Sequence, residues 1–407
     1  MQSPMQIEGL AVKNYRCLRD IALDTLGRMT IVVGANGSGK SSLFDVFTFL
    51  KDSLTQNVAS AVARRGGYRE LVTRGQTGPI EIAVKFRESG GRLATYELKI
   101  NQDGGRVVVD REVMSYRRGQ YGRPWHFVDF SRGEGRAITN ESMYGTEGAV
   151  EERAEYQLDD PSILAIKGLG QFQQFRVVSD FRSLIENWHI SDFRIADARP
   201  SAEVGYAEHI STRGDNVALV AQYLFENHPQ QFEKVLRAMR QSVPGVSAVE
   251  AKATEDGRLV LRFKDGSFQD PFIARYVSDG TIKMFAYLVL LYDPYPHPLL
   301  AVEEPEIQLY PALMRELAEE FRDYARRGGQ VFVSTHSPDF LNGAELDEIR
   351  WLTKEDGFTK VRLASESELL QALVHEGDLP GALWRLGVFD LPGLLWRQDE
   401  SEGAASS

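Results

Sequence analysis

The sequence has very little cysteine, with Cys17 as the single thiol in 407 residues. One cysteine excludes an internal disulfide, and the chain has neither a C-x-x-C pair nor a run of histidines and cysteines that would indicate zinc. The amino terminus lacks the basic-then-apolar order of an export signal. The longest apolar stretch, around Met284 to Leu291, is far too short to span a bilayer. We therefore expect a soluble, cytoplasmic protein.

Positive charge is also scarce, because 47 basic residues face 58 acidic ones, for a net charge of −11. Proteins that track nucleic-acid phosphates tend to be basic. Two local clusters depart from this average: seven arginines between 106 and 136, interleaved with Tyr116, Tyr121, Trp125 and Phe130, and a group of Arg64, Arg65, Arg69 and Arg74. An arginine-rich aromatic surface can stack bases. A β-meander with aromatics packed inward explains the same pattern, so nucleic acid remains an open partner.

What the chain does contain is a complete phosphate-binding loop, Gly34-Ala35-Asn36-Gly37-Ser38-Gly39-Lys40-Ser41. The β-branched run from Met29 to Val33 predicts a strand before it, and Ser41 to Leu50 predicts a helix after it. Backbone N–H groups of such a loop bind phosphate oxygens at a helix N-terminus. Lys40 is expected to reach the β- and γ-phosphates of ATP, and the Ser41 hydroxyl to ligate Mg²⁺. The candidate nucleotide ligands are Gly34, Asn36, Gly37, Ser38, Gly39, Lys40, Ser41 and Ser42.

Two carboxylates follow a second apolar run. Residues Pro298 to Val302 show no alternation, which favours a strand buried on both faces, and Glu303 and Glu304 come directly after it. Taken alone, these acids fit an acidic turn. Beside a phosphate loop they indicate catalysis, in which Glu303 holds Mg²⁺ and Glu304 orients or deprotonates the attacking water.

A third apolar run, Gln330 to Ser334, leads to His336. If this strand lies beside the acidic strand in a parallel sheet, the imidazole reaches the carboxyl edge, where ligands bind in such sheets. We expect His336 to contact the γ-phosphate.

The segment Val277-Ser278-Asp279-Gly280-Thr281 resembles the signature motif of ABC-type ATPases. Its SDG form, followed by an apolar helix at Ile282 to Leu291 and a Glu-Glu-Pro-Glu box, is similar to the AAA-type ATPases of the RecF/SMC/OLD group. Asn14 to Asp20 resembles the N-terminal strand and turn of that group, and Asp215 to Ala218 its entry into a helical lobe.

This resemblance, which covers residues 6 to about 390, implies an α/β fold: a P-loop NTPase with an ABC/SMC-head-like mixed sheet, an antiparallel β lobe and an inserted helical lobe. It also implies that ATP and Mg²⁺ are sandwiched in a homodimer, with Ser278 and Gly280 acting on the partner's γ-phosphate. Three positions are less typical. Glu303 replaces a frequent Asp, Tyr310 stands where His or Asp is common, and Gln76 is a glutamine-loop candidate that equally fits a plain turn.

The length suits two or three lobes. We expect an N-terminal ATPase lobe at 1–79, a β-meander at 80–160, a helical lobe at 161–269, a C-terminal ATPase lobe at 270–397 and a disordered tail at 398–407. Apolar residues at helical spacing predict core stripes comprising Phe172, Phe175, Val178, Phe181, Leu184, Ile185 and Trp188, and then Phe232, Val235, Leu236 and Met239. An Asp-Gly turn predicts a hairpin of strands 247–252 and 258–263.

Two features of the RecF/SMC/OLD group are missing from this sequence. The segment between 41 and 278 has no sustained heptads, so no SMC-type coiled-coil arm is expected, and the residues after His336 show no paired-acid nuclease signature. The leading hypothesis is an ATPase head acting in DNA repair or anti-phage defence with a separate effector protein. The alternative is an ATP-gated regulatory subunit that holds a toxin or nuclease, with little turnover. A transporter ATPase subunit is disfavoured by the long insertion, the β-meander and the SDG signature.

Overall fold

The structure is a computed structural model that describes residues 5–116, 124–140, 151–199 and 201–390. The disordered tail expected at 398–407 lies outside the described residues, as do Arg117, Arg118, Tyr121 and Arg123 of the arginine-rich segment. No helix in the described ranges is long and apolar enough to cross a membrane.

Strands and helices occur in runs over the first two thirds of the chain and alternate singly between β14 and β17. The strands are β1 Gln6–Tyr15, β2 Leu18–Leu23, β3 Met29–Gly34, β4 Ile80–Arg87, β5 Leu93–Asp103, β6 Arg106–Tyr116, β7 Trp125–Ser131, β8 Glu134–Ile138, β9 Arg153–Gln157, β10 His189–Ser191, β11 Ala202–Glu203, β12 Val246–Ala253, β13 Arg258–Asp265, β14 Phe272–Ile273, β15 Leu299–Glu303, β16 Gln330–Ser334, β17 Ile349–Glu355 and β18 Phe358–Leu363. The helices are α1 Lys40–Thr55, α2 Val58–Ala63, α3 Tyr68–Leu71, α4 Ala165–Leu169, α5 Arg176–Glu186, α6 Ile195–Ala198, α7 Val217–Asn227, α8 Pro229–Ser242, α9 Asp279–Leu291, α10 Met314–Arg326, α11 Pro338–Leu341, α12 Glu368–His375 and α13 Pro380–Arg385.

The chain divides into two compact units. The first unit comprises residues 1–188 and 350–363, and the second unit comprises 189–349 and 364–407. The lobes expected from the sequence at 1–79, 80–160, 161–269 and 270–397 remain predictions.

The first unit contains an eight-stranded antiparallel sheet in the order β2-β1-β4-β5-β6-β7-β8-β9, which confirms the expected antiparallel lobe. In β4, apolar residues are buried while the residues between them are more exposed, as period-2 alternation requires. Helix α5 covers part of this sheet, since the Phe181 ring stacks on Phe86 at 4.3 Å and lies 4.9 Å from Tyr96. The first unit also contains β3, β17 and β18, which lie side by side.

The second unit contains the parallel strands β10, β15 and β16 in that order. In the register of β15 and β16, Glu303 pairs with Ser334, so the carboxyl ends of both strands meet at one edge. A separate antiparallel sheet has the order β11-β13-β12, with β14 paired to β13. The hairpin expected from the Asp-Gly turn is therefore present as β12 and β13.

One residue of the expected core stripes does not belong to the core. Phe172 is 57% exposed and lies in the turn between α4 and α5, four residues before α5 begins at Arg176. The other members of that stripe are buried. In the second stripe Leu236 is only half-buried, whereas Val235 and Met239 are fully buried.

Candidate functional site

The phosphate loop joins β3 to α1 in the first unit, as the sequence predicts. All six residues of β3 are buried, and α1 begins at Lys40, one residue earlier than expected. Gly39 stands before the helix with a φ of 110°, a conformation that residues with a Cβ rarely adopt. A Cβ there would also collide with the Thr359 hydroxyl and lie 3.0 Å from the Cys17 sulfur. The turn into α1 therefore requires glycine.

Polar groups converge inside this loop. The Lys40 ammonium is buried and donates to the carbonyl oxygens of Gly34 at 2.9 Å and Ala35 at 3.3 Å. The Ser38 hydroxyl oxygen is also buried, and it has no hydrogen-bond partner among the described residues. Buried polar atoms are normally paired, so this hydroxyl fits a phosphate oxygen as its partner. Ser41, in contrast, is exposed in the first turn of the helix, where its hydroxyl is accessible to a cation.

Thr359 supports the loop, although the sequence does not single it out. Its hydroxyl donates to the Ser38 carbonyl oxygen at 2.7 Å, and its backbone N–H donates to the Cys17 carbonyl oxygen at 2.9 Å. Thr359 is fully buried on β18. More than three hundred residues separate it from the loop in the sequence, so no local spacing reveals the contact.

The acidic pair ends β15 in the second unit. Glu303 is the last strand residue and is exposed. Glu304 follows with a φ of 44°, in the left-handed region that side chains with a Cβ seldom occupy. Its backbone N–H donates to the Ser334 carbonyl oxygen at 2.9 Å, which holds the bend against β16. Such strain is concentrated at functional sites.

His336 lies beside Glu304, as the parallel register predicts. The distance from its Nε2 to Oε1 of Glu304 is 3.3 Å, and each side chain is about one third exposed. The backbone N–H of His336 donates to Oε1 of Glu306 at 2.6 Å. The two atoms do not form a hydrogen bond, because Nε2 of His336 is buried without a hydrogen-bond partner among the described residues. A carboxylate beside an imidazole can still serve as a proton acceptor. Glu306 is a positioning residue that sequence reasoning did not identify.

Lys283 on α9 places a basic side chain near Glu304 and Glu306. Burial lowers the pKa of Lys283 to about 8, although Glu306 and Glu304 favour its charged form. Its ammonium donates to the Ile307 carbonyl oxygen at 2.7 Å. This bond ties α9 to the loop that follows the acidic pair.

The signature segment forms the start of α9. The Ser278 hydroxyl accepts from the Thr281 backbone N–H at 3.2 Å and caps the helix. Helix α9 begins at Asp279, three residues earlier than expected. A Cβ on Gly280 would lie 2.9 Å from the Gln308 carbonyl oxygen, so glycine permits a close approach to the loop after the acids. Ser278 itself is exposed at this helix end.

Arg199 holds this segment in place. Its guanidinium donates to the carbonyl oxygens of Ala274, Arg275 and Val277 at 3.2, 2.9 and 2.9 Å. It also pairs with the Asp279 carboxylate. Arg199 precedes the signature by almost eighty residues, which is why sequence reasoning missed it.

The structure thus brings Glu303, Glu304 and His336 to one strand edge of the second unit, and it places the phosphate loop in the first unit. Two further positions that the sequence analysis considered, Gln76 and Tyr310, lie on the surface. Gln76 is exposed, and its backbone N–H closes a turn onto the Thr73 carbonyl oxygen. The Tyr310 side chain is 71% exposed.

For the described residues, the arginine-rich segment matches the inward-packed interpretation. Tyr116, Trp125 and Phe130 are buried, so their rings are not offered to bases. Five of the described arginines in the two clusters form ion pairs with acids: Arg111 with Asp129, Arg132 with Asp103 and Asp110, Arg65 with Asp45 and Asp52, Arg64 with Asp52, and Arg74 with Glu70.

The fold is that of a P-loop NTPase head of the ABC/SMC type. The model of the family described as "AAA domain, putative AbiEii toxin, Type IV TA system" matches residues 29–342. This range is well over half of the sequence, and the chain belongs to that family. Family membership gives an AAA-type ATPase domain with a nucleotide-binding loop.

Solved structures agree on the fold. An SMC head bound to the C-winged helix domain of ScpA is similar, with a TM-score of 0.53 and 15% identity over 87% of this chain and 97% of that chain. An Smc head with an extended coiled coil, bound to the C-terminal domain of ScpA and derived from Pyrococcus furiosus, has a TM-score of 0.51 and 15% identity over 92% and 100%. At this identity the similarity shows the fold alone.

Proposed function

We propose that this protein binds ATP with Mg²⁺ and hydrolyses it. The observation that carries the proposal is the Glu304–His336 pair, 3.3 Å apart at the end of β15. Glu304 is held by the chain in a left-handed bend, a backbone conformation that is concentrated at functional sites. A carboxylate kept next to an imidazole is suited to accept a proton from water during phosphoryl transfer.

The other residues have roles that their chemistry supports. Lys40 and the backbone of the phosphate loop would bind the β- and γ-phosphates. The exposed oxygens of Ser41 and Glu303 are hard ligands that suit Mg²⁺. Glu304 would orient and deprotonate the attacking water, and His336 would contact the γ-phosphate as it is cleaved.

We further propose that ATP closes a homodimer in which Ser278 and Gly280 contact the nucleotide of the partner. The exposure of Ser278 at the N-terminus of α9 supports this, because a helix N-terminus attracts phosphate charge. Large side chains near this surface are unusually exposed: Tyr276 at 73%, Tyr310 at 71% and Ile307 at 53%. Apolar exposure of this size is typical of an interaction site.

For the biological role, we propose DNA repair or anti-phage defence together with a separate effector protein. The second candidate is a regulatory subunit in which ATP gates the hold on a partner toxin or nuclease, and the link of the family to a toxin–antitoxin system is compatible with it. The basal rate separates the two. A slow rate that changes strongly when the partner is added supports the regulatory candidate, whereas robust turnover by the chain alone supports the first.

The test is ATP turnover and ATP binding by purified variants. Lys40→Ala should lose ATP binding in calorimetry. Glu304→Gln should bind ATP but turn over at least about 100-fold more slowly, because general-base catalysis contributes about 10² to 10⁴. Glu316→Gln, an exposed carboxylate on α10, is the matched control and should keep the normal rate. A Glu304→Gln protein that keeps more than a tenth of the wild-type rate would refute the catalytic assignment.

A further inference from the structure

A group of metal-ligand side chains lies in the second unit, away from the residues discussed so far. One ligand atom from each of His209, Asp293 and His297 lies within 4.8 Å of the others. Asp293 follows the end of α9, His297 precedes β15, and His209 lies in the loop before α7. Asp293 and His297 share the connection between α9 and β15, so two segments of the chain converge on one point.

The site lies at the opposite end of β15 from the catalytic acids. His297 comes before the first residue of the strand, and Glu303 is its last residue. Six residues of extended chain span about 20 Å. An ion at His297 is therefore distinct from the Mg²⁺ expected at Glu303.

The carboxylate of Asp293 is in an environment that favours a cation. Its side chain is only 3% exposed, and Nδ1 of His209 lies 2.6 Å from its Oδ2. A buried carboxylate is stabilised when a positive charge meets it. The second oxygen is oriented by the Tyr295 backbone N–H, which donates to Oδ1 at 2.8 Å.

Further histidines surround the three residues. The ring of His189 lies 4.9 Å from that of His297, and the rings of His209 and His297 lie 5.0 Å apart. The His228 ring lies 5.7 Å from that of Tyr295, and its Nε2 lies 3.0 Å from the Tyr223 hydroxyl. Four of the seven histidines of the chain thus gather in one region. Neighbouring polar groups of this kind orient metal ligands.

We propose that His209, Asp293 and His297 bind a divalent transition metal, with Zn²⁺ as the best-suited ion. Two imidazoles and one carboxylate form a donor set that zinc accepts, with further positions open to water. Ligand atoms around tetrahedral zinc lie about 3.3 Å apart, so shifts of about an ångström would bring these three into place. The His209–Asp293 hydrogen bond by itself accounts for only two of the three residues.

The ion would fasten the loop before α7 to the end of α9. Helix α9 carries the signature segment at its other end, so the site would anchor the helix that presents Ser278. This role does not depend on ATP hydrolysis.

The test is metal binding by the full-length chain after chelation and without nucleotide. Co²⁺ is titrated first, since its visible absorption reports tetrahedral nitrogen and oxygen ligation, and Zn²⁺ is then added as competitor. The wild type should bind one Co²⁺ that Zn²⁺ displaces. His209→Gln, at a side chain that is 40% exposed and tolerant of change, should weaken binding at least tenfold. Asp293→Asn is a second variant with the same expectation, and its melting curve in chelator reports whether it folds.

The matched control is His375→Gln, which alters an exposed histidine at the end of α12 and should leave binding unchanged. His336→Gln locates any ion held at the catalytic edge instead. Equal affinities of the wild type and His209→Gln would overturn the proposal, as would no Co²⁺ binding by the wild type. Loss of binding in His336→Gln but not in His209→Gln would overturn it too.

Discussion

Removal of the Arg199 guanidinium should loosen the segment that leads into the signature helix. Arg199 donates to the carbonyl oxygens of Ala274, Arg275 and Val277 and pairs with Asp279. These acceptors belong to a short turn and to the first residue of α9. In Arg199→Ala the three carbonyl oxygens must accept hydrogen bonds from water instead, and the segment loses the arginine that binds it in the described structure.

The size of the effect follows from these bonds. A hydrogen bond to a charged donor contributes about 1.5 to 3 kcal/mol at most. The Asp279 side chain is 44% exposed, so the ion pair is screened and adds little. Because water replaces many of the hydrogen bonds lost with the guanidinium, we expect the free energy of local opening to fall by about 2 kcal/mol. That change corresponds to about 30-fold in the opening equilibrium.

Hydrogen exchange measures this directly. Backbone amides of residues 277–282 should exchange about 30-fold faster in Arg199→Ala, while peptides of the phosphate loop should be unchanged. Arg194→Ala is the matched control, since among the described residues its guanidinium forms an exposed pair with Asp192, and the exchange of residues 277–282 should not change. If the amides of residues 277–282 exchange at the wild-type rate in Arg199→Ala, the Arg199 side chain does not stabilise the signature segment.

Two further predictions concern the first unit. Burial raises the pKa of Glu112 to about 7. The folded chain therefore holds this proton more tightly than the unfolded chain. The stability that protonated Glu112 contributes is fully present below about pH 4.5 and is lost as the pH rises through about 7. This pKa shift corresponds to up to about 3 kcal/mol in the free energy of unfolding. Urea unfolding at pH 5 and pH 8 should show that Glu112→Gln removes most of this pH dependence. An equal pH dependence in the wild type and in Glu112→Gln would contradict the prediction. Thr359→Val removes the bond to the Ser38 carbonyl oxygen and should weaken ATP binding about 5- to 30-fold in calorimetry, in line with about 1 to 2 kcal/mol for a buried unpaired group. Thr353→Val, at a less buried position on the neighbouring strand, should bind ATP normally; equal losses in both variants would refute the specific role of Thr359.

Local patterns predicted the elements that carry the motifs. The β-branched run before the phosphate loop is a strand, and the apolar runs before Glu303 and His336 are parallel strands. Ends were less accurate because side chains beyond the expected boundary still pack on the same face. Helix α1 continues to Thr55, since Leu54 is buried one turn after Leu50.

Long-range contacts could not be predicted from one sequence. Thr359 and Arg199 act on segments far away in the chain, and no spacing marks them. The sequence also offers no run of histidines, yet folding brings His209 and His297 together with Asp293. The arginine-rich segment allowed two interpretations, and only burial of its described aromatics distinguishes them.

The central claim, an ATPase head that closes on ATP, is tested most directly by the solution mass of Glu304→Gln. This variant should retain ATP, so a closed state should accumulate. The account predicts a monomer without nucleotide and a dimer with ATP and Mg²⁺. Adding Ser278→Arg should abolish the dimer, because its long cationic side chain would occupy the surface meant for the partner's nucleotide. A mass that ATP leaves unchanged, while calorimetry shows ATP bound, would contradict the account.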